Sequence, residues 1–265
     1  MGKKLEEEQS SFHVTHAQAG GTMGWRAPEC ISHNYPSQKV TKSVDVFSSG
    51  CLMYYILTEG NHPYGDKLTR ENNITKGIMK LDPLEKYDES VLSRDLIKRM
   101  IALNPLRRYT CSYPKMIRPD MKRALIHPYF WNAAKRLSFL QDVSDRLEGE
   151  LKEASELLKS FEKRGSKVIS GPDWMAKLDP GLLENLGKYR KYDGSSVQDL
   201  LRVLRNKRHH YSELPIQVQK TVGDLPDGYL NYFDSLFPNL LAHVYQWLSE
   251  NPQVSSETVF SHYFE

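Results

Sequence analysis

Apolar and polar positions alternate along the chain with helical periods. Residues 44–57 (Val-Asp-Val-Phe-Ser-Ser-Gly-Cys-Leu-Met-Tyr-Tyr-Ile-Leu) are apolar nearly all round, which predicts a helix buried on every side. The turn Gly60-Asn61-His62-Pro63-Tyr64-Gly65 stops it. Residues 90–103 carry Val91, Leu92, Leu96, Ile97, Met100, Ile101 and Leu103 at helical spacing, closed by Asn104-Pro105. A shorter helix over 121–126 runs into His127-Pro128-Tyr129-Phe130-Trp131. Next, Leu137, Leu140, Val143, Leu147 and Leu151 form one stripe, spaced in threes and fours to pack on a helical neighbour. Gly165 and Ser170-Gly171-Pro172 break the chain, and short helices are expected around 180–186, 195–208, 215–222 and 237–248. No run of alternating strands is visible. The fold class is mainly α, in two parts joined near 132–172. Ahead of them, residues 1–20 are polar and aperiodic, and predict a loop or disordered arm.

Composition changes this picture little. A hydrophobic fraction of 39% with 26% charged residues fits a soluble globular chain of 265 residues. Cys30, Cys51 and Cys111 are scattered and odd in number, so they predict reduced thiols, with no disulfide framework and no zinc knuckle. No apolar run approaches the ~18 residues that span a bilayer. The N-terminus reads neither as a myristoylation signal nor as a leader, so the chain as given is expected to be cytoplasmic. The net charge of +3 is too diffuse to name a partner. Locally the balance shifts: Lys188, Arg190, Lys191, Arg202, Arg205, Lys207 and Arg208 face only Asp193 and Asp199, a surplus that favours an anionic partner.

In the first part, Ala27-Pro28-Glu29, Asp45 with Gly50, and His127-Pro128-Tyr129-Phe130 resemble the substrate-side lobe of a eukaryotic protein kinase. That resemblance implies structural roles: Glu29 pairs with an arginine further on, and Asp45 caps backbone amides at the start of the buried helix. The arginine is either Arg108 or Arg118. Spacing from Pro105 favours Arg108, spacing to His127 favours Arg118, and Arg118 is taken as the structural-motif residue. Between them, residues 109–118 look like an insertion, cheap if it stays on the surface. A Gly-rich phosphate loop, a Val-Ala-Ile-Lys strand, a His-Arg-Asp loop and an Asp-Phe-Gly metal site are all absent from this sequence. No phosphoryl transfer is expected from these residues alone.

The second part holds the candidate chemistry. Ser195 with Gln198 three residues on fits a capping box, and Val197, Leu200, Leu201 and Leu204 form a core stripe. The helix ends in Arg205-Asn206-Lys207-Arg208-His209-His210-Tyr211, with Tyr192 just ahead of it. Basic residues at a helix C-terminus are common because the dipole favours them. Histidines beside them add proton transfer near neutral pH. His209 and His210, roughly 100° apart on a helix, cannot ligate one metal. RNA brings its own nucleophile, the 2′-hydroxyl, so cleavage needs a base, an acid and donors for the charged phosphorane. Histidine, tyrosine and an Arg/Asn pair supply these.

Tyr189-Arg190-Lys191-Tyr192 and the run from Leu200 to Tyr211 resemble the KEN ribonuclease domain. So do Leu225-Pro226-Asp227-Gly228-Tyr229, Tyr232-Phe233 and Phe237-Pro238-Asn239-Leu240-Leu241. That domain follows a kinase domain in the inositol-requiring endoplasmic-reticulum stress-sensor family and in ribonuclease L. Gln141-Asp142-Val143-Ser144-Asp145-Arg146 favours the stress sensors. The resemblance implies a layout of 1–20 as an activation-segment remnant, 21–132 as a partial kinase lobe, and 133–265 as linker helix and KEN domain. It implies His210 as general acid and Tyr192 as general base, with Arg205 and Asn206 on the scissile phosphate. Lys207, Arg208 and Arg202 would be RNA contacts, and His209 and Tyr211 structural. The expected reaction forms a 2′,3′-cyclic phosphate with no metal or other cofactor. The family binds ATP or ADP and magnesium in a kinase pocket whose residues this chain lacks. The expected partners are an RNA stem-loop and a second copy or full-length sensor, with no DNA and no membrane segment in this chain; the family sits at the endoplasmic-reticulum membrane with this half cytosolic. The alternative is a non-enzymatic kinase-like/KEN fragment that only pairs with the full-length sensor.

Overall fold

The computed structural model describes residues 11–14, 21–31, 38–87, 89–108, 121–150, 155–187 and 191–264. Contacts divide the chain into two compact units, 1–129 and 130–265.

In the first unit a strand β1 (Ser11–Val14) pairs antiparallel with β2 (Gln38–Thr41), Ser11 opposite Thr41 and Val14 opposite Gln38. The expected irregular arm thus contains a strand. Its partner lies far along the chain, where no local pattern reveals it. Among the described residues four α-helices follow: α1 (Ser43–Leu57), α2 (Arg70–Lys76), α3 (Ser90–Met100) and α4 (Met121–Leu125). Val46, Phe47, Cys51 and Tyr54 of α1 pack with Leu96, Ile97 and Met100 of α3, all almost fully buried. Gly50 permits the close approach. A Cβ there would stand 2.7 Å from Met100 Cβ and from Ile101 Cγ2, a contact real side chains do not make.

Helix α1 is not buried on every side as its composition predicts. Leu52, Tyr55 and Ile56 are 50%, 42% and 65% exposed, so one face is apolar yet open. Asp45 is also corrected. The helix begins after Lys42 with no side-chain cap, and Asp45 lies in the first turn without a capping bond among the described residues. Its charge complements the helix dipole instead.

Glu29 pairs with Arg108. Arg108 Nη2 donates to Glu29 Oε2 at 2.7 Å, and Nη1 donates to Glu29 Oε1. The remaining guanidinium hydrogens reach the carbonyls of Ala102 (2.6 Å), Ser43 (3.2 Å) and Leu103 (3.1 Å), so all five donors are satisfied in a side chain that is fully buried. Arg118 and the inserted stretch 109–118 lie outside the described residues. His127 is sealed as well. Its Nε2 lies 3.1 Å from Asp95 Oδ2, and its Nδ1 accepts from the Tyr129 amide.

The second unit is all-helical among the described residues. Its helices are α5 (Ala133–Glu148), α6 (Glu156–Glu162), α7 (Ser166–Ile169), α8 (Pro180–Gly187), α9 (Val197–His209), α10 (Ile216–Val222), α11 (Asp227–Leu236), α12 (Leu240–Glu250), α13 (Pro252–Ser255) and α14 (Thr258–Ser261). Leu137, Leu140, Val143 and Leu147 of α5 are buried, as are Val197, Leu200, Leu201 and Leu204 of α9, so both predicted stripes are core. Leu151 lies outside the described residues. Tyr263 ties the C-terminus to α5 by donating to Asp142 Oδ2 at 2.6 Å.

The start of α9 differs by one residue from the capping box expected at Ser195. Ser196 is the N-cap, and its Oγ accepts from the Asp199 amide at 3.2 Å. Glu162 of α6 completes the cap by accepting from Ser196 Oγ and from the amides of Val197 and Gln198. A remote carboxylate thus satisfies amides that open a helix.

Candidate active site

Helix α9 delivers Arg202, Arg205, Asn206, Lys207 and Arg208, with His210 as its C-cap, and Tyr192 comes from the segment ahead of it. At its far end Tyr229 of α11 donates to the Leu204 carbonyl at 2.7 Å, and Trp174 donates to the Asp193 and Ser196 carbonyls beside its start. The helix is therefore pinned at both ends before the reactive groups are counted.

Helix α5 lies alongside it, and the two faces are matched. Gln141, Asp145 and Glu148 fall on one stripe of α5, four and three residues apart. Arg202, Arg205 and His209 repeat the spacing on α9. Gln141 Nε2 and His209 Nε2 are 2.6 Å apart, Arg205 Nη1 is 2.8 Å from Asp145 Oδ1, and Arg202 Nε is 2.6 Å from Glu148 Oε2. Arg202 also bonds Asp199 at 2.8 Å. Burial alone would depress the Arg202 pKa, but Glu148 and Asp199 outweigh it and raise it.

Arg205, Asn206 and Tyr192 form a chain. Arg205 Nε and Nη2 both donate to Asn206 Oδ1 at 3.1 Å, and Asn206 Nδ2 is 3.4 Å from the Tyr192 hydroxyl. His210 is the residue that closes α9. Its Nδ1 lies 2.9 Å from Glu213 Oε1, and its side chain is 63% exposed. Imidazole Nδ1 is thereby occupied, which leaves Nε2 to face solvent.

The predicted RNA cations separate. Lys207 is buried, with Nζ 2.5 Å from Asn185 Oδ1 of α8, and burial pulls its ammonium below the usual lysine range while Glu213 works the other way. Arg202 is engaged by its two carboxylates. Arg208 differs, because its buried Nη1 has no hydrogen-bond partner. His209 is tied to Gln141, and Tyr211 donates to the Gly223 carbonyl at 3.0 Å. Sequence reasoning misses Asp145, Glu148, Asn185 and Glu213. For the α5 pair a signal exists, since an amide and two acids repeat on one helical stripe opposite a cationic one. Among the described residues no group of three His, Cys, Asp or Glu is placed to hold a metal ion, and no helix is long and apolar enough to cross a membrane.

Residues 1–130 match the protein kinase domain family and residues 136–264 match ribonuclease 2-5A. The sensor for unfolded proteins in the ER ire1 of Schizosaccharomyces pombe is 41% identical over 280 residues, covering 100% of this chain and 25% of that protein. Human serine/threonine-protein kinase/endoribonuclease IRE2 is 41% identical, covering 99% of this chain and 27% of its own length. Arabidopsis thaliana IRE1a is 40% identical, covering 100% and 29%. The chain belongs to this family of IRE1-type kinase/endoribonucleases. It spans about a quarter of the length of the curated relatives it matches.

Proposed function

We propose that the second unit is a metal-independent endoribonuclease that cuts stem-loop RNA in the unfolded-protein response. One observation carries this reading: the exposed His210, oriented by Glu213, closes the same helix turn whose Asn206 reaches the Tyr192 hydroxyl. Tyr192 takes the proton of the ribose 2′-hydroxyl, and the freed oxygen attacks the adjacent phosphorus. His210 Nε2 gives its proton to the departing 5′-oxygen. One P–O bond forms and one breaks, leaving a 2′,3′-cyclic phosphate and a 5′-hydroxyl. Asn206 and the Arg205 beside it supply donors near the phosphorane, and the half-buried Arg208 lends its positive charge to the phosphate backbone. Acid, base and donors are all side chains, so no step requires a metal.

The relatives are named as kinases, which implies ATP and magnesium in their kinase domains. The described residues of the first unit offer no acidic group of ligands for that metal. The ribonuclease reading rests on the second unit alone. The open apolar face of α1 (Leu52, Tyr55, Ile56) favours a second reading, in which the chain only pairs with a protein partner.

The test is cleavage of a labelled stem-loop RNA by the purified chain, titrated in protein concentration with chelator present. We expect cyclic-phosphate ends, unaffected by chelation, and a rate that rises more steeply than linearly if two copies pair. His210→Ala should lower the rate by roughly 10²–10⁴-fold with an unchanged melting temperature. Loss of activity on chelation, restored by magnesium, would refute the metal-free mechanism. A folded wild-type chain that cleaves nothing would favour the interaction reading.

A further inference from the structure

Two carboxylates beside a site for a polyanion are a liability, since they repel the substrate. Asp145 and Glu148 nevertheless converge on Arg205, at 2.8 Å and 3.3 Å. Their value must lie in what they hold. Arginine has five N–H donors and no acceptor. Arg205 uses Nε and one Nη2 hydrogen on Asn206 Oδ1, the other Nη2 hydrogen on Glu148 and one Nη1 hydrogen on Asp145. A single Nη1 hydrogen is left, on a side chain that is 11% exposed. Held this way, Arg205 cannot grip a phosphate through two parallel bonds.

It can orient its neighbour. Because a guanidinium only donates, the Asn206 atom that faces it must be the oxygen. The amide nitrogen is thereby turned toward Tyr192, where it lies 3.4 Å from the hydroxyl. The order runs from α5 carboxylate to guanidinium to amide to phenol.

We infer that Asp145 and Glu148 are positioning residues of the ribonuclease site, and that Arg205 serves as their relay, locking the Asn206 amide with its N–H toward Tyr192. The role rests on the ribonuclease reading above. Asp145 is the cleaner probe, because Glu148 also holds Arg202 and the Asp145 side chain is 58% exposed, so its loss does not threaten the core.

The experiment is cleavage of the stem-loop RNA by Asp145→Asn, Asp145→Glu and Glu148→Gln, each assayed for kcat and KM beside a melting curve. Loss of orientation at the reacting centre should lower kcat about ten-fold or more for Asp145→Asn while KM stays level or falls. Asp145→Glu, which keeps the carboxylate, should recover most of the rate. In an Arg205→Lys background, Asp145→Asn should add no further loss, because the relay is already broken. Unchanged or faster turnover with tighter RNA binding would overturn the role and mark the carboxylates as mere repellers. A raised KM at constant kcat would overturn it too, since that places Asp145 in binding. Additive losses in the double variant would exclude the relay through Arg205. A wild-type chain without cleavage brings down the ribonuclease reading itself, and this role with it, an outcome distinct from an active wild type beside an indifferent variant.

Discussion

Arg108 in the first unit and Arg205 in the second are both held by carboxylates, and they do opposite work. Arg108 is sealed, with all five donors spent on Glu29 and three backbone carbonyls. Nothing remains for a ligand, so its pair with Glu29 is a staple between distant parts of the chain. Arg205 lies against carboxylates that are 58% and 36% exposed and gives two of its bonds to one amide oxygen. A buried arginine that closes on backbone serves the fold. One that closes on a neighbouring side chain at a surface sets that side chain's direction.

The sharpest way to break this contrast is to break each arginine–carboxylate pair. Breaking a buried pair leaves an uncompensated charge and is costly, so Arg108→Met should destabilise the chain by about 3–5 kcal/mol. Adding Glu29→Leu to Arg108→Met should return part of that loss, because neither charge is then stranded. By contrast, Asp145→Asn should change stability by under about 1 kcal/mol, since water and salt already screen so exposed a carboxylate. Urea denaturation of the variants measures all three. Similar losses at both arginines would erase the distinction.

A pH-dependent effect belongs to a buried histidine of the first unit. His62 is buried against Trp25, with ring centroids 4.7 Å apart, and its Nε2 lacks a partner. Burial, reinforced by the Arg70 guanidinium, holds its imidazole down to about 3 from an ordinary 6.5. The unfolded chain therefore binds a proton that the folded chain refuses. Stability from this group is complete above about 6.5 and falls by about 1.4 kcal/mol per pH unit as acid approaches 3. Asp95 adds the same sign lower down. Burial works to raise its carboxyl, but His127 and Arg99 bring it to about 2 from 3.8, so its contribution is lost as pH falls from 3.8 through 2. Melting temperature against pH should flatten between 6.5 and 4 in His62→Asn relative to wild type. An unaltered slope would remove His62 from the account.

What the sequence discloses tracks the reach of each interaction. The stripes of α5 and α9 are periodic within one helix, and both are legible in the order of residues alone. The family motifs around Tyr192 and His210 are equally local. Glu29 is different, because spacing points to Arg108 from one side and to Arg118 from the other, and the convergence of the Ala102, Leu103 and Ser43 carbonyls on the Arg108 guanidinium is visible only in three dimensions. The open face of α1 is hidden for a related reason, since composition reports how apolar a helix is and not what covers it. Asp145 and Glu148 are visible as a stripe but carry no meaning there, because acids beside the proposed RNA site look unhelpful until their partner is known.

The smallest prediction tests the same lesson at the opposite end of α9. Ser195 and Ser196 are both competent caps, and sequence alone favours Ser195 through Gln198. The choice is made by Glu162, which accepts from Ser196 Oγ at 2.8 Å and from the amides of Val197 and Gln198 at 3.0 and 2.9 Å. Ser195 turns instead to Asp193 Oδ1 at 2.7 Å on the exposed side. Ser196→Ala should therefore destabilise by about 1 kcal/mol, the usual worth of a capping hydroxyl. Ser195→Ala should cost only a few tenths of that, roughly the noise of a surface change. Reversed magnitudes in a denaturation series would show that the local capping box governs the helix after all. Equal activity in both variants is expected, because the cap lies at the end of α9 opposite His210, and a fall in cleavage with Ser196→Ala would mean that the site feels the helix over its whole length.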